Sequence, residues 1–201
     1  MKRCLILGCG PSLKDIPFKF LDRYPTFGGN RVYLKYAPTW YVSVDEKNMI
    51  EHVDEINALG SIKYISDRWS HLVPDSIPLR SLPIQRFSYD PLSWIYEGWT
   101  VTFVMLQLAY WHGFEEVGLL GVDHRYTIPG KPGDMYTGPD NDHFTPDYYH
   151  SENSRPVPEL YKPESAYRLA KVAYRKSARR VVNLTPDTAL DIFEIEDWHT
   201  W

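Results

Sequence analysis

LILGCGPSL, residues 5–13, is the stretch from which the rest of the chain is read. An apolar run breaks into Gly8-Cys9-Gly10-Pro11, and a helix-like segment begins at Ser12. Strand, glycine turn and helix is the local order that presents backbone N–H groups and a helix N-terminus to a phosphate. The third glycine of a dinucleotide fingerprint is missing, because Lys14-Asp15 stand in its place, and there is no G-K-[ST] of a P-loop. A nicotinamide enzyme is thereby disfavoured. Pro11 removes one donor and sets φ for the first helical turn. The plain alternative is a tight strand-to-helix corner that binds nothing.

Outward from this corner, strand-like and helix-like runs alternate. Residues 3–8 read as a buried strand and 12–23 as a helix. Residues 26–30 read as a strand ending at Gly28-Gly29-Asn30, and 39–45 as a strand ending at Asp45. Met49, Ile50, Val53, Ile56 and Leu59 recur at helical spacing up to Gly60, and 63–66 is a fourth strand. Pro74, Pro78, Pro83 and Pro91 leave 67–99 irregular. An apolar helix then runs from a Thr100 cap to Gly113, and 116–123 is a strand ending at Asp123. Residues 124–162 are rich in proline and show little periodicity. A helix over 163–178 and a last strand in RRVVNLTP (179–186) follow. This alternation predicts an α/β fold, a Rossmann-like three-layer sandwich with a mainly parallel sheet and a loop-rich lid. It is read as one nucleotide-binding domain, 1–201, with 124–162 as a lid insertion. Gly8–Ser12, Asn30, Asp45 and Asp123 fall at carboxyl ends of strands, where such sheets build their sites.

Composition narrows the partners. The chain has 201 residues, 43% of them hydrophobic, enough for a sizeable core. A net charge of −4 argues against a nucleic-acid binder. The basic cluster Arg175, Lys176, Arg179 and Arg180 reads as a solvated face of the late helix. No apolar run approaches the ~18–20 residues that cross a bilayer, and no signal peptide is legible, so a cytoplasmic location is expected. Cys4 and Cys9 would stand roughly 16 Å apart on a strand at ~3.3 Å per residue, too far for a disulfide. Cys9 is either a reactive thiol or a small turn residue. Many of the 15 Tyr, 8 Phe and 7 Trp fall between 87 and 161; they line a pocket for a flat or sugar-like ligand, or fill a loop-rich core.

ILGCGPSLKDI, Asn30, GWTVTFVMLQLAYWHGFEEVGLLGVD and NLTPDTALDIF occur in this order. Together they resemble the Rossmann-type domain shared by the hydroxymethylpterin pyrophosphokinase-like family and the motility-associated flagellin glycosyltransferases. The likeness to bacterial sialyltransferases that use CMP-sialic acid is more distant. The resemblance spans about residues 3–193 and is weakest over 67–97. It implies a nucleotide-binding set of Gly8, Cys9, Gly10, Ser12, Asn30, Asp45, Thr100 and Asp123. Cys9 and Asp45 stand where the sialyltransferases have asparagine. Thr100, Val101 and Thr102 stand at their Thr-Ser-Gly helix start, and Gly121-Val122-Asp123 matches their G-[IV]-D. Residues 138–154 correspond to a lid carrying a histidine base and phosphate-holding tyrosines. Here His143, Asp147 and His150 compete as the base, and Tyr148, with Tyr149 or Tyr161, would assist the leaving phosphate.

The simpler reading of His143 is a structural histidine that orders the lid. Asp123, Asp140 and Asp142 suit magnesium or, as plainly, turns. His124 is a binding candidate, and His52, His71 and His199 read as surface residues. The resemblance implies a CMP-sugar-dependent glycosyltransferase in surface-glycan synthesis, acting on a glycan acceptor with no required cofactor. Two alternatives stand beside it. One is magnesium-dependent diphosphate transfer from ATP to a hydroxymethylpterin-like acceptor, with Asp45, Asp123 or Asp142 at the metal. The other is a catalytically silent nucleotide-binding or interaction module.

Overall fold

In a computed structural model, in which residues 1–149 and 153–201 are described, eight strands form one sheet. They are β1 (Arg3–Leu7), β2 (Thr26–Gly29), β3 (Trp40–Ser43), β4 (Ile62–Ser66), β5 (Ser76–Leu79) and, after two short strands β6 (Ser81–Leu82) and β7 (Ile95–Tyr96), β8 (Glu116–Leu120). A two-stranded ladder of β9 (Met135–Tyr136) and β10 (Arg155–Pro156) precedes the last two sheet strands, β11 (Arg180–Asn183) and β12 (Glu194–Ile195). The sheet order is β12-β11-β8-β1-β2-β3-β4-β5, and every pairing in it is parallel. The chain steps from β1 outward to β5 and then returns to the other side of β1 at β8. That reversal makes the gap between β1 and β8 the topological switch point, where open α/β sheets bind ligands.

Alternation along the strands divides the core. Cys4 and Ile6 of β1 face one side, and Leu5 and Leu7 face the other. The first side is covered by helices α4 (Val101–Trp111) and α5 (Tyr161–Lys176). The other is covered by the segment holding α1 (Phe18–Leu21) and by α2 (Glu46–Glu51) and α3 (Val53–Ala58). Three layers result, as expected. Each wholly buried Leu or Ile of these strands contributes about 1.5–3 kcal/mol.

Several local expectations are corrected. The helix expected over 12–23 is a 3-10 turn at Pro11–Asp15 followed by the single turn of α1. Pro17, at the N-cap of α1, lacks the N–H a continuous helix needs. The helix expected over 46–59 breaks at His52, which is half-buried and not a surface residue. The irregular 67–99 supplies β5, an edge strand where Pro78 leaves no central ladder bond unmade. The basic cluster is no single solvated face, because α5 ends at Lys176. Arg179 stacks on Tyr110, and Arg180 in β11 pairs with Glu116. Glu116 is wholly buried and also binds Arg3 at 2.7 Å and Trp201 Nε1 at 3.2 Å. Both cysteines are free. Among the described residues no helix is long and apolar enough to cross a membrane.

Candidate functional site

The glycine corner is zipped to the end of β8. Gly8 N donates to Leu120 O at 2.7 Å and Gly10 N to Gly121 O at 2.8 Å. Ser12 donates through its amide and its hydroxyl to the two oxygens of Asp123, at 3.1 and 2.8 Å. The glycines are needed for this approach: a Cβ on Gly8 would overlap the Gly121 carbonyl, and one on Gly10 the Asp123 carboxylate. The expected phosphate cradle therefore differs from the one found. The amides of Gly8, Gly10 and Ser12 are committed to protein acceptors. Among the described residues the Cys9 amide is the one in 8–12 that has an N–H and no protein partner. Burial pushes the Cys9 thiol up to about 12, and its Sγ lies 3.6 Å from Gly29 O. Cys9 is thus a turn residue and not a reactive thiolate. Burial also raises the Asp123 carboxyl above its ordinary value, partly countered by the two bonds from Ser12.

Above this corner lies a cleft in two halves. One, of about 460 Å³, is lined by Gly8, Cys9, Gly10, Asp123, His124, Asp142, His143 and Lys162, among others. The second, of about 520 Å³, is lined by Asp45, Lys47, His52, Glu97, Tyr149 and Arg155, among others. Asn30, Trp99, Thr100, Val101, Tyr126, Tyr148 and Pro156 border both. The cleft opens at the carboxyl ends of β1, β2, β3 and β8, at the switch point. Asn30 lies in the left-handed region (φ 50), and its carbonyl accepts from Tyr41 at 2.9 Å. Thr100 caps α4 by accepting from the Thr102 amide at 3.3 Å.

The segment expected as a lid folds onto the corner, with Phe144 N donating to Cys9 O at 3.1 Å. Within it His143 Nδ1 donates to Asp140, at 2.8 Å to the nearer oxygen. Its ring stacks on Tyr148 at 3.9 Å between centroids and 4° between planes. Asp140 is buried. Burial alone would raise its carboxyl, but the bond and charge of His143, the Asp142 amide and Arg155 hold it below its ordinary value. Arg155, itself buried, ties the segment together through Gly138 O and Pro139 O, at 3.2 and 2.9 Å. With Nδ1–H committed to Asp140, Nε2 of His143 is the nitrogen left to accept a proton.

The structure brings together Gly8, Cys9, Gly10, Asn30, Thr100, Asp123, His143 and Tyr148 around one half of the cleft, with Asp45 on the other. Ser12 stands behind the corner as a brace on Asp123 and is not among the lining residues. Asp147 is exposed and borders neither half; its carbonyl accepts from Arg31 at 2.8 Å. Tyr161 is 62% exposed and does not line the cleft; its hydroxyl donates to Glu159, which does. Tyr148 is buried, and that burial holds its phenol protonated, well above its ordinary value. His150 lies outside the described residues. Asp45 caps α2 through the Asn48 amide at 2.8 Å, and Asp142 Oδ1 accepts twice from Thr127, at 2.7 and 2.8 Å. Among the described residues no three His, Cys, Asp or Glu side chains converge as a ligand set.

Sequence reading singled out neither Trp99, Arg155 nor Lys162, and took Asp140 only as a metal or turn residue. The one available signal was the i, i+3 spacing of Asp140 and His143.

The fold is of a class that glycosyltransferase structures share. No protein-family model and no curated protein sequence matches the chain. Solved structures do match. Against the sialyltransferase CstII from Campylobacter jejuni in complex with CMP-3FNeuAc, the TM-score is 0.54 at 14% identity, covering 97% of this chain and 86% of that one. A variant of the sialyltransferase CST-II in complex with CMP gives 0.54 at 14%, with coverage of 97% and 86%. A second variant with CMP gives 0.51 at 16%, with 96% and 85%. At such identity the likeness establishes the fold. No comparison supports the resemblance to the pyrophosphokinase-like and flagellin glycosyltransferase groups.

Proposed function

We propose that the chain is a nucleotide-sugar-dependent glycosyltransferase of the CMP-sugar type, working on a glycan acceptor in surface-glycan synthesis. The observation that carries this reading is the His143–Asp140 pair beside a cleft at the β1/β8 switch point. Support comes from a fold shared with sialyltransferases whose structures hold CMP or CMP-3FNeuAc. The nucleotide would lie against Gly8, Cys9, Gly10, Asn30 and Thr100, with Asp123 bracing the corner and Asp45 bordering the far half. His143 Nε2 would take the proton of an acceptor hydroxyl as its oxygen bonds to the anomeric carbon. The bond from that carbon to the phosphate oxygen breaks, and its electron pair leaves with CMP. Lys162 and the protonated Tyr148, both lining the same half, would stabilise the departing charge.

A catalytically silent interaction module is favoured by one observation: the commitment of the Gly8, Gly10 and Ser12 amides to the protein leaves the corner few donors for a phosphate. A thermal-shift panel of CMP, CDP, UDP, GDP, ATP and NAD, with and without magnesium, tests these readings first. A ligand at 100 times its Kd adds about 2.7 kcal/mol, several degrees in Tm. Stabilisation by CMP without metal, followed by CMP release from a CMP-sugar, supports the transferase. Binding with no release supports a silent nucleotide-binding module. A shift by ATP only with magnesium would move the assignment to diphosphate transfer, and no shift at all would make the corner purely structural and support the interaction module.

A further inference from the structure

We propose that Trp99 is the wall on which the base of the bound nucleotide stacks, an inference that rests on the nucleotide-sugar reading above. Trp99 is 56% exposed and borders both halves of the cleft. A large aromatic left in water beside a cavity forgoes apolar burial that a flat ligand would restore. Its backbone is in the left-handed region (φ 67), which a bulky side chain rarely adopts. The cause lies one residue earlier. Gly98 (φ 55) is wedged where a Cβ would overlap Phe103 of α4 and sit 2.8 Å from Ala166 of α5. The chain leaves that wedge with the indole turned toward the cleft, and the next residue, Thr100, caps α4. Strain of this kind persists where surrounding packing imposes it, and it clusters at ligand clamps.

One feature favours a base over a sugar face. The N-terminus of α4, one residue away, carries the partial positive charge that suits a phosphate, and in a nucleotide the ring one ribose away from that phosphate is the base. Lys162 Nζ, 4.6 Å from the indole centre, is paired with Glu159 at 2.6 Å and so adds no free charge beside the platform. Stacking on an aromatic tolerates any base, so the cleft's polar groups would decide which base is bound.

The test is titration of CMP and of ribose 5-phosphate into the parent protein and into Trp99→Phe and Trp99→Ala, with circular dichroism confirming that each variant folds. Trp99→Ala is expected to weaken CMP binding roughly tenfold to a hundredfold, Trp99→Phe to keep most of it, and ribose 5-phosphate binding to stay unchanged. CMP should also quench part of the tryptophan fluorescence of the parent, and that part should vanish in Trp99→Phe. Equal CMP affinity in parent and Trp99→Ala would overturn the stacking role while leaving the nucleotide site standing. Equal loss of both ligands would overturn it in favour of a sugar-phosphate contact. No binding of CMP by the parent would overturn the nucleotide reading, and this inference with it.

Discussion

At the scale of single residues, the chemistry concentrates on His143 and the buried carboxylate that orients it. In the proposed reaction His143→Ala should lower the rate by about 10²- to 10⁴-fold, the usual worth of a positioned base. Asp140→Asn is the sharper probe, because its amide can donate to Nδ1 and so stabilise the wrong tautomer. Its expected signature is a large loss of kcat with little change in KM, together with a displaced acidic limb in the pH–rate profile. A merely structural Asp140 would leave that limb in place. The same carboxyl has a stability consequence. Its folded-state value is lowered, so its contribution is present above the unfolded value, near 3.9, and is lost as pH falls through the folded one. Urea midpoints measured from pH 6 down to pH 3 should therefore fall less steeply in Asp140→Asn than in the parent.

At the scale of elements, the glycine corner is a joint between β1 and the turn after β8. Its glycines answer to the Gly121 carbonyl and the Asp123 carboxylate, so replacing them strains packing before it touches any ligand. Gly8→Ala meets backbone and Gly10→Ala meets a braced carboxylate. Each is expected to cost about 1–3 kcal/mol, the usual penalty of overpacking, read as a lower urea midpoint at unchanged m-value. A corner that existed only to admit phosphate would show unchanged stability and lost binding instead. The pattern GCGPS was legible as a strand-to-helix corner. Which carbonyls its amides reach was not, since Leu120 and Gly121 lie more than a hundred residues away.

At the scale of the molecule, the two ends of the sheet do different work. Where β1, β8 and β11 begin, buried Glu116 joins Arg3, Arg180 and Trp201; the cleft opens at the opposite, carboxyl ends. Glu116→Ala removes the buried anion, while Arg3 and Arg180 keep 35% and 42% of their side chains in water and Arg180 keeps Glu194 and Glu196, so the expected cost is about 1–3 kcal/mol. A thermal melt checks it, and CMP affinity measured well below Tm should be unchanged. Nothing in the local sequence marked Glu116 or Arg180 as partners, and the run containing Arg175 and Arg180 read as one basic face.

The sequence by itself determined what is local. Alternating strand and helix patterns specified an α/β sandwich, because periodicity records which face each element buries, and the strand ends marked Gly8–Ser12, Asn30, Asp45 and Asp123, with Thr100 as a helix cap. Only the tertiary structure decided adjacency: that β8 returns beside β1 and places Asp123 under the corner, that Asp140 turns His143 toward the cleft, and that the Gly98 wedge turns Trp99 outward. The first depends on contacts between segments distant in the chain; the other two join near neighbours, but where those side chains are aimed is set by the packing around them.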